Sequence, residues 1–390
     1  HVFIWTLIPS IVNVNLPLDT IEALAWGSDL AWGFNKHPPF SAFAVEVFYQ
    51  IFGNQDWAFY LLSQIFVGFS FFVIFKFAEE FLENLFLAFL SVLLIEGIFF
   101  YNFTTPEFNV NISQLPFWAL TVFFSWRCIK NSSILNHIFL GLFIGLGFLS
   151  KYLFIYLVIG ILVYLGYMAY KKKKINVFYI FLTSLVAILI ISPHLIWLYE
   201  NDFSTITYGI KRSEGTGHVT DHIVFPLFFL IKQFILIIPF IIIGFFLLKK
   251  IRLVRLPKNE KMIFLFTSFV IPIFLVFLTS LILGAKIRTM WMTPFYLFSG
   301  VFFIQLFKKN INIKKLKKFN MVFIFFFLLS PIIYSIVSLS NDSKRTDYPG
   351  KEIARLVQNK WDDNFSNSIK FVVGDEWYAG NLSYHLYSRP

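Results

Sequence analysis

Apolar runs at residues 1–12, 57–76, 84–101, 112–127, 134–150, 153–170, 176–197, 226–248, 262–283, 287–306 and 319–340 follow one another along the chain. A stretch of about 20 apolar residues is what an α-helix needs to cross a bilayer. The expectation is therefore an all-α polytopic membrane protein with about eleven spans. Composition agrees: 57% of the residues are hydrophobic, 14% are charged and 54 are Phe. No soluble domain has enough polar residues at that ratio to cover its apolar surface. The run that opens at His1 is only a dozen residues long. It reads as a truncated first helix rather than a signal peptide, because it has neither a basic n-region nor a cleavage site of small residues. The end at Pro390 also reads as cut.

The net charge of +11 speaks to topology, not to nucleic acid. The basic residues cluster in connections: Arg127/Lys130, Lys171–Lys174, Lys249–Lys261 and Lys308–Lys318. Short basic connections mark the cytoplasmic side. With all four placed there, 13–56, 102–111, 198–225, 284–288 and the tail 341–390 share the outer side, on the condition that 40–52 (FSAFAVEVFYQIF) is not a span. That segment is short, carries Glu46 and Gln50, and places Phe40, Phe43, Ala44, Val47, Phe48 and Ile51 on one helical face. This is the pattern of a helix lying in the membrane interface. The competing reading is a short tilted span, which would invert everything before residue 127.

Two units follow. Residues 1–340 form the transmembrane unit, with interfacial helices in its first outer loop, 13–56. Residues 341–390 are charged and read as the beginning of a small α/β outer domain. Within that tail, 350–361 is helical, IKFVV (369–373) is a strand, and Gly374-Asp375 is the turn before another helix. A single cysteine, Cys128, rules out an internal disulfide framework or a cysteine metal cluster.

The unexplained polar residues gather in the outer loops. Asp19 and Glu22 share one face if helical. Lys36 and His37 precede Pro38-Pro39. Glu107 lies in TTPEFNVN, Lys151 in LSKY, and Lys211, Arg212 and His218 in the 198–225 loop. Lys286 and Arg288 open a span. Each has a bland alternative: helix caps or solvated charges for the acids, snorkelling to headgroups for Lys36, a backbone hydrogen bond for His37, and nonspecific lipid phosphate for Lys151 and Arg288. The set says more than any member, since charge near a membrane is costly unless paired or used. One chemistry needs acids and cations at an interface: glycosyl transfer from a lipid-phosphate sugar. A carboxylate takes the acceptor's proton, cations stabilise the leaving phosphate, and one displacement inverts the anomeric carbon.

In order along the chain, LPLDTIEALAWG, KHPP, LLSQ, TTPEFNVNISQLPFWALT, GLGFLSKY, SPHLIWL, RTMWMTP and GDEWYAGN resemble the bacterial family 39 glycosyltransferases. These belong to the protein-mannosyltransferase-like superfamily of GT-C fold, which also holds the aminoarabinose transferases that modify lipid A. The resemblance implies a membrane enzyme using polyprenyl-phosphate sugars, with Asp19 as the catalytic carboxylate in the first outer loop. Relatives often carry adjacent Asp-Glu there; this chain has Asp-Thr-Ile-Glu, with Glu22 as the candidate second acid. Glu107 matches an acid after Thr-Pro, near the acceptor or a metal. His37 matches a basic residue before Pro-Pro near donor phosphate. Lys151 and Arg288 match basic positions facing the same cavity, and Lys36 and Arg212 complete the candidate phosphate set. Some relatives bind a divalent metal near this loop, with no ligands assignable here. Implied partners are a polyprenyl-phosphate sugar donor, an envelope glycolipid, glycan or protein acceptor, and membrane lipids. The implied location is the bacterial inner membrane with the site facing outward. The sugar and acceptor stay open.

Two other classes compete. A flippase or transporter of lipid-linked sugar needs polar residues toward midplane, often at broken helices, whereas the spans are nearly pure Phe, Leu and Ile. A non-catalytic envelope-assembly protein would tolerate neutral residues at Asp19 and Glu107. Within the enzymes, a transferase of whole glycans is the runner-up.

Overall fold

The computed structural model describes residues 1–250, 259–340 and 343–390, so positions 251–258 of the Lys249–Lys261 connection lie outside them. Each of the eleven apolar runs contains helix. In chain order the helices are α1 (Val2–Val12), α2 (Leu18–Gly27), α3 (Phe40–Phe52), α4 (Asp56–Leu82), α5 (Leu85–Ile95), α6 (Val110–Ser113), α7 (Leu115–Lys130), α8 (Ile134–Ser150), α9 (Ile155–Tyr170), α10 (Val177–Glu200), α11 (Ser204–Ser213), α12 (Asp221–Leu236), α13 (Ile238–Phe245), α14 (Glu260–Leu265), α15 (Ile271–Leu283), α16 (Ser299–Phe307), α17 (Leu316–Leu339), α18 (Gly350–Asp362) and α19 (Glu376–His385).

Eleven runs do not make eleven long spans. Among the described residues, five helical stretches are long and apolar enough to cross alone: Asp56–Leu82, Tyr152–Tyr170, Val177–Glu200, Glu260–Leu283 and Ile313–Leu339. Two bent pairs bring the figure up to seven. The chain breaks by 45° between α12 and α13, beside Pro239, and by 51° between the 3₁₀ stretch 289–296, which holds Pro294, and α16. Proline removes a helical donor and crowds the preceding turn, which is why the breaks fall there. The run 84–101 likewise stops helical winding at Ile95 and resumes as a 3₁₀ turn at Phe99–Tyr101.

Helix α4 is the central strut. Of its apolar window 61% is buried, against 11% for Val177–Glu200 and for Ile313–Leu339, whose Phe181, Ile188, Phe325 and Ile336 face outward. Apolar side chains left facing outward over whole helices are what lipid contact requires. The two ends of α4 differ in kind. At its C-terminal end Glu83 adopts left-handed geometry (φ 55°) and pairs with Lys261 at 2.7 Å and Lys130 at 3.8 Å. Glu80 pairs with Arg127, and the carbonyls of Phe81 and Leu82 accept from Lys261 and Lys308. Lys173 pairs with Glu260 at 2.6 Å, and Lys315 donates to the Leu248 carbonyl. Three of the basic connections therefore meet around this one helix end. At the other end, Asp56 accepts from Tyr384 of the tail at 2.8 Å. Asn13, closing α1, joins Tyr60, Tyr334 and Ser338 there.

Segment 40–52, on which the topology turns, is a short helix. Helix α3 has 13 residues, about 20 Å by helical rise, too short to span. Val47 and Ile51 face outward, while Ala42, Val45 and Glu46 are buried. Its buried face carries the charge: Glu46 accepts Arg389 and Gln50. The outward face is apolar, as a helix lying against lipid requires. In the tail, helices form where expected, but 369–373 differs from expectation. It is extended with no strand among the described residues to pair with; Ile369 is buried while Phe371 and Val373 are exposed. Alternation marks a half-buried extended segment but does not supply a ladder partner.

A Cys128→Ser protein carrying Asn54→Cys is expected to react with an impermeant thiol reagent from one membrane face, and one carrying Lys172→Cys from the opposite face. Labelling of both from one side of sealed vesicles would refute this topology. Close helix contact gives a second expectation. A Cβ on Gly300 would lie 1.9 Å from the Ser91 carbonyl, whereas Gly166 has nothing within 4 Å. Gly300→Ala should destabilise the purified protein by about 1–3 kcal/mol, as overpacking does, and Gly166→Ala should leave its melting temperature nearly unchanged.

Candidate active site

Helix α2 begins after Pro17, and Asp19 sits in its first turn, where the helix dipole favours negative charge. Ile21, Ala23 and Leu24 bury the helix's apolar side. The three-residue spacing then leaves Asp19 and Glu22 on one face. Glu107 reaches this turn from the 102–109 connection: its Oε1 accepts the Asp19 backbone N–H at 3.1 Å, and the Phe108 carbonyl accepts the Thr20 hydroxyl at 3.1 Å. Asn109 holds that connection in shape by capping α6, accepting from the backbone of Asn111 (2.9 Å) and Ile112 (3.3 Å).

The cations come from separate segments. Lys36 Nζ donates to Glu22 at 2.6 Å and also contacts Glu376, the first residue of α19. Its ammonium lies 6.0 Å from the Tyr208 ring centre. Lys151, buried at the turn between α8 and α9, donates to the Asn111 side chain and sits 5.2 Å from the Trp291 ring. Arg212 lies at the end of α11, close enough to act on both Asp19 and His37. The loop carrying Lys36 is fixed from α10. His194 bridges the Trp32 carbonyl (2.7 Å) and the Tyr152 hydroxyl (2.6 Å). Gly33 lies so close to Trp197 that a Cβ would fall 2.2 Å from its ring.

These positions set the titration behaviour. Burial raises Asp19 above the usual carboxylate range, opposed by Lys151, Lys36 and Arg212. Burial also pushes Glu22 up to about 7 against the pull of Lys36, and Glu107 up to about 8 with Asp19 adding to the rise. Burial takes Lys151 down to about 7, and Asp19 acts the other way. Burial, with Lys151, Lys36 and Arg212 nearby, takes His37 down to about 3. An imidazole in that field is neutral at physiological pH. Burial lowers Lys36 too, but its bonds to Glu22 and Glu376 outweigh that and hold it above its ordinary value.

Seven of the eight sequence candidates are thus brought together: Asp19, Glu22, Glu107, Lys36, His37, Lys151 and Arg212. Arg288 is not among the charges acting on Asp19. It precedes the 289–296 stretch, and its Nε is buried without a hydrogen-bond partner among the described residues. Trp26 stacks on buried Phe34 (5.0 Å, 9°) inside the loop, whereas Trp32 is exposed. Asn111, Trp291, Tyr208 and His194 complete the site without charged side chains to single them out, and Glu376 is an acid of the tail that the sequence reading did not single out; all except Tyr208 stand inside the motifs named above. A cavity of about 250 Å³ reaches Glu107, Asn109, Asn111, Met290, Thr293 and Tyr334. Another of about 320 Å³ reaches Glu22, Trp26, Lys36, Glu376 and Ser383. Among the described residues no three His, Cys, Asp or Glu side chains converge as a metal site. Glu22 is committed to Lys36 and Glu107 to the α2 backbone, so this donor set does not fit a divalent cation.

Asp19 is thus a carboxylate surrounded by cations at the end of a bundle of apolar helices. Residues 36–197 match the family model for dolichyl-phosphate-mannose-protein mannosyltransferases. The fold is similar to that in the crystal structure of ArnT from Cupriavidus metallidurans bound to undecaprenyl phosphate, with a TM-score of 0.65 and 12% identity over 99% of this chain and 84% of that one. No curated protein matches the sequence significantly. The overall fold is thus the GT-C fold of a multi-pass membrane protein, and residues 36–197 resemble the mannosyltransferase family. The resemblance read from the sequence motifs is upheld.

Glu107 binds its proton more tightly in the folded chain, at about 8 against 4.5. Between those values the folded state holds more protons than the unfolded, so Glu107 makes stability fall as pH rises. Glu107→Gln keeps an oxygen for the Asp19 N–H. Thermal melts should show the variant gaining on wild type by a few degrees from pH 5 to 8.5; parallel profiles would contradict the placement.

Proposed function

We propose that this chain transfers a sugar from a polyprenyl-phosphate donor to a hydroxyl of a cell-envelope acceptor, at the outer face of the bacterial inner membrane, by an inverting single displacement. The supporting observation is one carboxylate, Asp19, within electrostatic reach of three cations from three segments, Lys36, Lys151 and Arg212. Asp19 removes the acceptor's hydroxyl proton, and its raised affinity for that proton suits a general base. The acceptor oxygen forms the new bond to the anomeric carbon while the bond to phosphate oxygen breaks and its electron pair leaves with the phosphate. Lys36, Lys151 and Arg212 stabilise that growing charge, neutral His37 adds an N–H, and Arg288 supplies a further guanidinium beside the 289–296 stretch.

In this reading Glu22 and Glu107 position rather than react. Glu22 holds Lys36, and Glu107 holds the first turn of α2. The tail 341–390 walls the acceptor side. The family match supports a phosphate-linked sugar donor, and the solved structure similar in fold is one bound to undecaprenyl phosphate. Lipid A or other lipopolysaccharide, another glycan, and protein are the acceptor classes open to such a site.

The test is transfer of label in membranes from polyprenyl-phosphate sugars to an envelope extract. Asp19→Asn at equal expression should lose about 10²–10⁴-fold of the rate, the usual share of a general base. Equal transfer by both proteins would remove Asp19 from the mechanism.

A further inference from the structure

Lys36 is the one phosphate-site cation in this chain held by two carboxylates, Glu22 and Glu376. The two are not equivalent. Glu22 is one-tenth exposed, belongs to the same loop as Lys36, and has α2 packed around it. Glu376 is 44% exposed at its side chain and enters from the tail. A phosphate approaching Lys36 meets its ammonium together with both acids. Like charges at that range repel, and the repulsion is strong where water is scarce. One acid must withdraw, and the cost is small only for the one that can turn into water.

The tail itself need not move for this to happen. Behind Glu376, α19 is pinned along its length. Asn381 accepts from Asn15 at 2.5 Å, Gly380 lies against Ile21, Tyr384 donates to Asp56 at 2.8 Å, and Arg389 grips Glu46 and the Leu24 carbonyl. Glu376, at the first turn of α19, borders the same cavity as Lys36, and Ala379, Gly380 and Ser383 continue that wall along the helix. The pinned helix fixes where the carboxylate stands, and its rotamer decides whether it is on Lys36.

We infer that Glu376 is a displaceable placeholder for the donor phosphate: it occupies Lys36 when the site is empty, yields to the lipid phosphate, and competes for Lys36 when the lipid phosphate product must leave. The inference rests on the polyprenyl-phosphate reading above and deepens it. A residue outside the transmembrane unit thereby sets how tightly the site holds its lipid phosphate.

The test is equilibrium binding of undecaprenyl phosphate to the full chain in nanodiscs, for wild type, Glu376→Gln, Lys36→Gln and the double variant. An exposed ion pair is worth up to about 1 kcal/mol, so Glu376→Gln should tighten binding by about two- to five-fold. In the Lys36→Gln background the same change should have no effect, since the coupling belongs to that pair. Equal or weaker binding by Glu376→Gln, or the same gain without Lys36, would overturn the placeholder while the donor reading stands. No binding by wild type or any variant would overturn both. A role confined to docking the tail would show as a lower melting temperature of Glu376→Gln without tighter binding, which also counts against the proposal.

Discussion

A carboxylate taken out of water stays ionised only if opposite charge comes with it. As the proposed base, Asp19 would need this, and much of the surrounding architecture answers to it. Burial raises its proton affinity, and Lys151, Lys36 and Arg212 oppose that rise. None of these cations comes from α2, whose ten residues include no Lys or Arg. They come instead from the loop before α3, the turn after α8 and the end of α11. Each carries its own support: Asn111 and Trp291 for Lys151, Glu22 and Tyr208 for Lys36. The site is thus a meeting of segments far apart in sequence, held at one end of a scaffold whose other end is tied by its own lysines and glutamates.

That division of ends was legible in the sequence because it follows from solvation. Apolar runs and basic connections are local signals, and both the helical runs and the gathering of three basic connections at one end of α4 follow from them. The charged candidates were legible for the same reason: Asp19, Glu22, Lys36 and Glu107 stand out against a background of Phe and Ile. Neutral residues with equal structural weight did not stand out. Asn111 and Trp291 stand inside the quoted motifs but carry no charge to single them out, because their role exists only once Lys151 arrives. The breaks were half legible. Pro239 and Pro294 were visible, but whether a proline bends a span or merely sits in one depends on the neighbours that satisfy the freed carbonyls. The extended 369–373 segment failed as a strand for a related reason, since alternation is local and pairing is not.

The tail changes the meaning of the first loop. Seen alone, 13–56 is an interfacial segment with too many charges. With α19 against α2, two of those charges acquire partners from the tail: Lys36 gains Glu376, and Glu46 gains Arg389. Gly380 and Gly350 matter here because a side chain at either would meet Ile21 or Asn381 and lift the helices apart. Loop and tail therefore fold as one layer over the ends of the spans, and the electrostatics of the site belong to that layer rather than to the loop alone.

The broken helices bear on the choice between a transferase and a transporter, since transporters too place irregular backbone inside the membrane. What matters is where the polar groups at a break are used. The 289–296 stretch turns its polar content toward the outer end: Trp291 lies under Lys151, and Met290 and Thr293 border the cavity that Glu107 and Asn111 share. The five long spans carry their charged residues within about two turns of their ends, a length of roughly 11 Å by helical pitch. A carrier needs its ligand groups at mid-depth so that access can alternate about them. Among the described residues, the dense collection of charge outside the basic end surrounds Asp19 at the opposite end, where the proposed transfer would place a lipid phosphate beside its acceptor rather than at mid-depth.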